Sequence, residues 1–494
     1  MLFYLTPLTV RRGDWVHSVL MNWHDFGFFN LKGQLVHNAG GSGLPEHPDV
    51  YSGHRAYSLY PAYFVDWIFN DCDSGLAFFL VFSAILGLSI WLLLGGGIMG
   101  AITAALIVYS ASYLRMIPAL DPLNLPVLFG IPFLFRVREL LNRERLTMAT
   151  LAILFGIMVF YMPMNWTTIV ALGITIIYLA VARPVNLKRV WGFALFSALG
   201  GAMVLAISLA SRMGGKSETG ATGHFTIFYN HYLIGPGGYD DNGMNWVRAA
   251  ARLTVANFVA LLPLWMVFLW KIWRIAQVEK TISQKLLICL SPLLAAIFFI
   301  AVLRNYFAHH PWMAGPVLIY GIVFSLRLLL DRQPEAPITA GDRRFWIMTA
   351  VPISVGFIYA IVVLAWLGAN AVEMDSVLRL TDKHTPRTGI IFYSPSDPGI
   401  AQSAGSFHSL IDRQVVPLTS SNSIPQEFLG STGERFYLSS HVLSDNPNLL
   451  AQTEIEKKPG IITSTLNWYR THIAKRPPGG RIDMSGSLYL YRMP

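Results

Sequence analysis

The chain has 494 residues, 53% hydrophobic and 13% charged, with a mean hydropathy of +0.47. This balance excludes an ordinary soluble domain and makes the lipid bilayer the main solvent. The net charge of +9 invites a nucleic-acid partner, but many of the basic residues fall in short turns between apolar spans. That is positive-inside topology, not a basic soluble face, so nucleic acid is set aside.

Residues 1–10 are apolar but about half the roughly 20 residues a span requires, and they lack the basic n-region and small-residue cleavage site of a signal peptide. Residues 11–75 are polar and aromatic, with Gly40-Gly41-Ser42-Gly43 and Pro45-Glu46-His47-Pro48 as punctuation. They read as an ordered loop too long to be an idle connector. Apolar spans follow at 76–94, 98–116, 123–137, 147–162, 167–183, 190–211, 252–270, 286–303, 313–330 and 345–368, with the glycine turn at 95–97 and the short third span the weakest boundaries.

Basic residues gather on every second turn: Arg136 to Arg145, Arg183 to Arg189, Lys271 to Lys285, and Arg327 to Arg344. Those turns are expected in the cytoplasm. The turns at 117–122, 162–166, 212–251 and 304–312, the opening loop and the C-terminal tail are expected outside. About ten spans with both ends outside leave nothing to carry the first loop across. We therefore expect a further span before residue 11, of which residues 1–10 are a remnant, or a gene product that starts upstream of Met1.

After Gly368 the composition turns soluble. Short runs at 389–394, 435–439 and 487–491 read as strands, and 399–413 and 424–430 as helices. No G-x-G-x-x-G follows the first strand. The expectation is an α-helical polytopic membrane protein of about ten spans, lacking a first one, with a small C-terminal α/β domain. Its parts are an N-terminal fragment with the first extracytoplasmic loop (1–75), a transmembrane bundle (76–368) and a soluble extracytoplasmic domain (369–494), in a cell (inner or plasma) membrane. Cys72 and Cys289 offer neither a disulfide framework nor metal-ligand spacing.

The first loop holds Asn22-Trp23-His24-Asp25-Phe26-Gly27-Phe28-Phe29. A carboxylate among aromatics beside a membrane is costly without a partner or a task, so Asp25 is the candidate base; the alternative is a wet surface carboxylate. Asp121, in Pro118-Ala-Leu-Asp121-Pro122, is a second carboxylate at an outward turn. It suits a helix cap, a cation ligand shared with Asp25, or both. Arg304 in Arg304-Asn-Tyr-Phe-Ala-His309-His310 suits a phosphate at the membrane face or a snorkelling anchor. His309 and His310 suit phosphate, sugar or plain interfacial packing, and a shared metal is the weaker option. His24, His54, Arg55 and Tyr57 complete a set of polar and aromatic groups of the kind that stacks on sugar rings, or that forms an interfacial belt. The glycine-rich stretch 212–251, with Asp240-Asp241, suits a mobile lid.

Taken together, the acid in a large first outer loop, the second Asp at the next outer turn, the alternating spans and the soluble C-terminal part resemble the GT-C superfamily of integral-membrane glycosyltransferases over about residues 1–368. The resemblance implies a polyprenyl-phosphate or polyprenyl-diphosphate sugar donor, an inverting reaction outside the cytoplasm, and a glycan, lipid or protein acceptor. It maps Asp25 onto the first-loop catalytic carboxylate and Asp121 onto the second-loop acid. Where many relatives carry an Asp-Glu pair this chain has His24-Asp25-Phe26, so no cofactor follows from it, and a divalent metal stays one option. Two rivals remain. A flippase of lipid-linked saccharides would place charges at the bilayer midplane in matched halves, a pattern not evident here. An O-antigen ligase or polymerase would centre on Arg304, His309 and His310.

Overall fold

In the computed structural model the described residues are 14–31, 33–34, 36, 59–69, 76–116, 149–150, 152–154, 166–182, 187–212, 251, 253–278, 284–303, 307, 314–332, 339–386, 388–394, 396–397, 413–418, 424, 433–443, 448–454, 468, 472 and 487–493. The expected spans at 123–137 and most of 147–162, and the expected helices at 399–413 and 424–430, lie outside them. The chain divides into two compact units. One comprises Met1–Phe79, Pro118–Leu120 and Val362–Pro494, the other Leu80–Ile117 and Asp121–Ile361.

The fold is mostly helical with a C-terminal mixed sheet. Its helices are α1 (Asp14–Phe26), α2 (Tyr60–Phe69), α3 (Leu76–Leu93), α4 (Ile98–Val108), α5 (Ala111–Met116), α6 (Trp166–Ala182), α7 (Leu187–Arg212), α8 (Leu262–Val278), α9 (Gln284–Val302), α10 (Ala314–Arg332) and α11 (Ala340–His384), with a π-helical turn at Val255–Val259. Gln284–Val302, Ala314–Asp331 and Ala340–Val363 are long and apolar enough to cross a membrane.

Within the helical unit, α10 is the central element: 83% of its Ala314–Asp331 segment is buried, against 28% for α9 and 17% for the start of α11. Gly321 allows close approach, because a Cβ there would lie 3.0 Å from Ala296 Cβ and 3.1 Å from the Pro292 carbonyl oxygen. Small residues are how helices pack tightly where lipid competes with side chains. Pro292 interrupts the hydrogen-bond ladder of α9. The next amide, Leu293 N–H, donates to Ser325 Oγ of α10 at 3.2 Å. On the α6 side, Thr175 Oγ1 and Tyr320 Oη lie 2.7 Å apart, both buried.

The helices depart from the expected spans in three places. The single span expected at 98–116 is two helices, because Ser110 Oγ donates to the Ile107 carbonyl at 2.8 Å and accepts Tyr113 N–H at 3.2 Å, which starts α5 afresh. The span expected to end at 270 continues as α8 to Val278. The helix expected at 345–368 runs from Ala340 to His384, since no proline follows Pro352 until Pro386. The glycine turn does separate α3 from α4, with Gly95 at φ 99° and Gly96 at φ 73°.

Helix α11 opens with a capping box between Thr339 and Asp342. Thr339 N–H donates to Asp342 Oδ2 at 2.6 Å and Asp342 N–H returns to Thr339 Oγ1 at 3.2 Å. Asp342, fully buried, also accepts Trp270 Nε1–H at 2.8 Å and faces Arg274 Nε at 3.4 Å. A buried carboxylate is tolerated only with such compensation.

The C-terminal sheet comprises β1 (Ile390–Tyr393), β2 (Gln414–Pro417), β3 (Arg435–Ser439), β4 (Leu449–Glu454) and β5 (Ser487–Arg492), in the order β2-β1-β3-β5-β4. Strands β2, β1 and β3 are parallel, while β5 runs antiparallel to both β3 and β4. The runs read from sequence are β1, β3 and β5; the two edge strands were not anticipated. Pro417 closes β2 at an edge, where a missing N–H costs no ladder bond. Ile391, Phe392, Phe436, Leu438 and Leu490 are all buried, so both sheet faces are covered. Arg413, itself buried, donates to the Thr385 hydroxyl at 3.2 Å and to its carbonyl at 3.0 Å, tying the end of α11 to the start of β2.

Candidate functional site

The opening loop is not irregular around its candidate base. Val16, Val19, Leu20 and Trp23 repeat at the i, i+3, i+4, i+7 spacing of a helix, and α1 forms there. It ends where Gly27 adopts φ 85° and Asn30 Nδ2 donates to the Phe26 carbonyl at 2.9 Å. The chain then folds back along the last turn. Trp23 Nε1–H reaches the Gln34 carbonyl at 2.7 Å and Asn22 Nδ2–H the Val36 carbonyl at 2.8 Å.

Helix α2 closes the assembly from the other side. Tyr63 Oη donates to the Trp23 carbonyl at 3.4 Å and Tyr60 Oη to the Gly33 carbonyl at 3.3 Å. The fully buried Trp23 ring meets Phe28, Tyr60 and Tyr63 edge-on at 5.2 to 5.6 Å between centroids. Edge-to-face contacts of this kind each add about 0.5–1.5 kcal/mol to the area they bury. The loop's aromatic richness therefore fixes the backbone on either side of Trp23, and with it the two residues that follow.

Those residues are His24 and Asp25. His24 Nδ1 lies 3.3 Å from Asp25 Oδ1. Both residues are exposed, although Asp25 keeps only 16% of its side-chain surface open. A carboxylate in the last turn of a helix faces the negative end of the macrodipole, which disfavours it. The imidazole beside it offsets that penalty when protonated. The pair places a proton acceptor beside a group that can donate to it or carry charge.

The structure adds a further acid, Asp66, which is not among the residues proposed from sequence. Asp66 is 1% exposed on α2 and shares its buried face with Leu59, Ala62 and Tyr63. The opposite face shows Phe64, Trp67 and Ile68, and Phe69 follows at the helix end, the last three each at least 60% exposed. A helix with its carboxylate inward and its aromatics outward suits a lipid surface, not water. The signal was present as one acid in Tyr63-Phe-Val-Asp66-Trp-Ile-Phe69, and burial alone distinguishes it.

A second polar group sits in the helical unit. Ser112 and Asn257 are buried at 3% and 1%, and a Cβ placed on Gly315 would collide with Ser112 Oγ and lie 3.6 Å from Asn257 Oδ1. Asn257 is the middle of the π-helical turn, a distortion frequent at functional sites.

Of the residues proposed from sequence, the structure brings His24 and Asp25 together. Asp121, His54, Arg55, Tyr57, Arg304, His309 and His310 lie outside the described residues, as does Cys72. Among the described residues no three His, Cys, Asp or Glu side chains gather to hold a metal ion.

No family model matches the chain, and no curated protein does. Among solved structures the chain is similar to a mutant of arabinofuranosyltransferase AftD from Mycobacteria, seen by cryo-EM, at 14% identity and a TM-score of 0.47. The likeness covers 83% of this chain and 32% of that one, so the chain spans about a third of the length of the structure it matches.

Proposed function

We propose that the protein is a membrane glycosyltransferase that moves a sugar from a polyprenyl-phosphate or polyprenyl-diphosphate carrier to a glycan, lipid or protein acceptor on the extracytoplasmic face. The observation that carries the reading is the placement of the Asp25 carboxylate. It is partly open, flanked by His24, and mounted on a buried aromatic cluster whose α2 helix offers an apolar face to lipid.

In the reaction, Asp25 accepts the proton of the acceptor hydroxyl as that oxygen attacks the anomeric carbon. The bond from that carbon to the carrier phosphate oxygen breaks, and the electron pair departs with the phosphate. Attack opposite the leaving group inverts the configuration. The phosphate leaves as a stable anion, so a base at the acceptor side is the main requirement. His24 keeps the carboxylate turned to one side. Asp121, Arg304, His309 and His310 enter from the sequence alone, as a second acid and as phosphate contacts.

The test is sugar transfer in membranes containing the Asp25→Asn variant. Asn keeps the shape and removes the basic lone pair, so transfer falls by about 100-fold or more while donor binding persists. Undiminished transfer by this variant removes Asp25 from the role of base. A larger loss from the His309→Ala, His310→Ala double variant moves the assignment to the ligase or polymerase class.

A further inference from the structure

The C-terminal sheet has a reversal point that the transfer reaction does not use. Strands β2 and β3 both follow β1 in sequence and flank it on opposite sides. The winding therefore reverses between β1 and β3, which are parallel and end together, Tyr393 beside Leu438. In open α/β sheets the carboxyl ends of the strands at such a point diverge into a crevice, and ligands bind there.

The segments leaving these two strands are built from hydroxyls around one acid. After β1 come Ser394, Ser396 and Asp397; after β3 come Ser440 and His441, with Ser439 closing the strand. Asp397 is buried and accepts Ser440 N–H at 2.8 Å, the Ser440 hydroxyl, and the Ser439 hydroxyl at 3.4 Å. Ser439 Oγ in turn accepts His441 N–H at 3.1 Å. Ser394 and Ser396 share a hydrogen bond of 2.7 Å between hydroxyls. Asp397 thus joins the two segments across the reversal point, so the groups they carry are fixed before any ligand arrives. Ser396 and His441 are exposed, and Ser440 is half-buried.

The chemistry selects the ligand. The described residues of these segments include no Lys or Arg, and the charge on Asp397 faces any incoming anion. That charge is felt nearby: burial first, then Asp397, pushes the Tyr437 hydroxyl above its ordinary value, against a hydrogen bond with Ser394. Among these described residues a phosphate or nucleotide meets no cationic partner and a carboxylate of its own sign. A neutral ligand offering many hydroxyls, each able to donate and accept, matches serine hydroxyls and an imidazole.

We infer that the carboxyl edge of β1 and β3 is a saccharide-binding site, with Ser396, Ser440 and His441 as its contacts and Asp397 as the residue that positions them. The inference does not depend on the transfer reaction and survives its failure.

The experiment uses the full chain in detergent, titrated by calorimetry with neutral pentose and hexose oligosaccharides, and separately with inorganic phosphate and a nucleoside diphosphate. The parent chain and the Asp25→Asn variant are expected to bind an oligosaccharide equally. Replacing the two exposed contacts, Ser396→Ala with His441→Ala, is expected to weaken binding at least tenfold with no change in unfolding temperature. Absence of oligosaccharide binding across the panel overturns the inference, as does unaltered affinity in the double variant or preferential binding of phosphate or nucleotide. Binding lost in Asp25→Asn but kept in the double variant places the sugar in the first loop and overturns it as well.

Discussion

Trp23 tests whether the aromatic cluster exists to hold the candidate base. Replacing it with Phe keeps a ring against Phe28, Tyr60 and Tyr63 but removes the indole N–H that reaches the Gln34 carbonyl at 2.7 Å. Losing that part-buried hydrogen bond costs about 0.5–1.5 kcal/mol. Truncation to Ala at this fully buried position costs about 3–5 kcal/mol. Asp25 lies two residues along the same helical turn, so loosening the segment that folds back over Trp23 shifts the carboxylate. A displacement of about 1 Å reduces turnover by about 100-fold. The assay pairs sugar transfer per mole of purified protein with the half-life against heat in detergent, since membrane proteins of this size unfold irreversibly. Trp23→Phe is expected to lower transfer far more than its modest loss of heat resistance explains. A Trp23→Phe protein with parental transfer and parental half-life refutes the reasoning.

Three further outcomes are expected. Asp342→Asn presents an amide N–H₂ to donors from Thr339 and Trp270 and removes the carboxylate charge that faces Arg274; it destabilises the helical unit by about 3 kcal/mol, and an unchanged denaturant midpoint contradicts this. Gly315→Ala forces a methyl onto Ser112 Oγ, while Ser112 Cβ stands at 3.1 Å; adding Ser112→Ala should restore much of the lost yield, and equal yields from single and double variants count against the packing. In the sheet, burial raises the hydroxyl of Tyr393, and burial with the charge of Asp397 raises that of Tyr437. Raised phenols ionise in the unfolded chain first, so their contribution is complete below about pH 10 and is lost as pH climbs toward the folded value; an alkaline unfolding series showing stability level or rising there opposes that sign.

Much of the fold could be read from the chain because lipid imposes one simple rule, a long apolar run. The glycine turn between α3 and α4 and the starts of α6, α9 and α10 follow from it. Breaks within apolar sequence do not, since the Tyr109–Ser110 interruption rests on one hydroxyl and the Val255–Val259 distortion on none that composition reveals. Hydropathy also ends α11 too early, because falling hydropathy does not stop a helix whose next proline is Pro386. In the sheet, alternation identified β3 and β5, whereas β2 offers only Val415-Val416 and β4 carries an irregularity between Leu449 and Ala451. At the candidate site His24 and Asp25 were legible as chemistry out of place. Their support was not, since Gln34, Val36, Tyr60 and Tyr63 meet α1 through backbone carbonyls and ring edges that no spacing encodes.

The seclusion of α10 bears on how the chain enters the bilayer. Of the three membrane-length segments among the described residues it has the lowest hydropathy, 1.6 against 2.4 and 2.1, and it carries Tyr320, Ser325, Arg327 and Asp331. Alone in lipid it would be the reluctant one to insert, since each polar group must find a companion inside the membrane. Thr175 and Leu293, which meet Tyr320 and Ser325, are both synthesised earlier. As α10 leaves the ribosome the groups that welcome it are already made, so the N-to-C order of translation is also the order in which this bundle can be assembled.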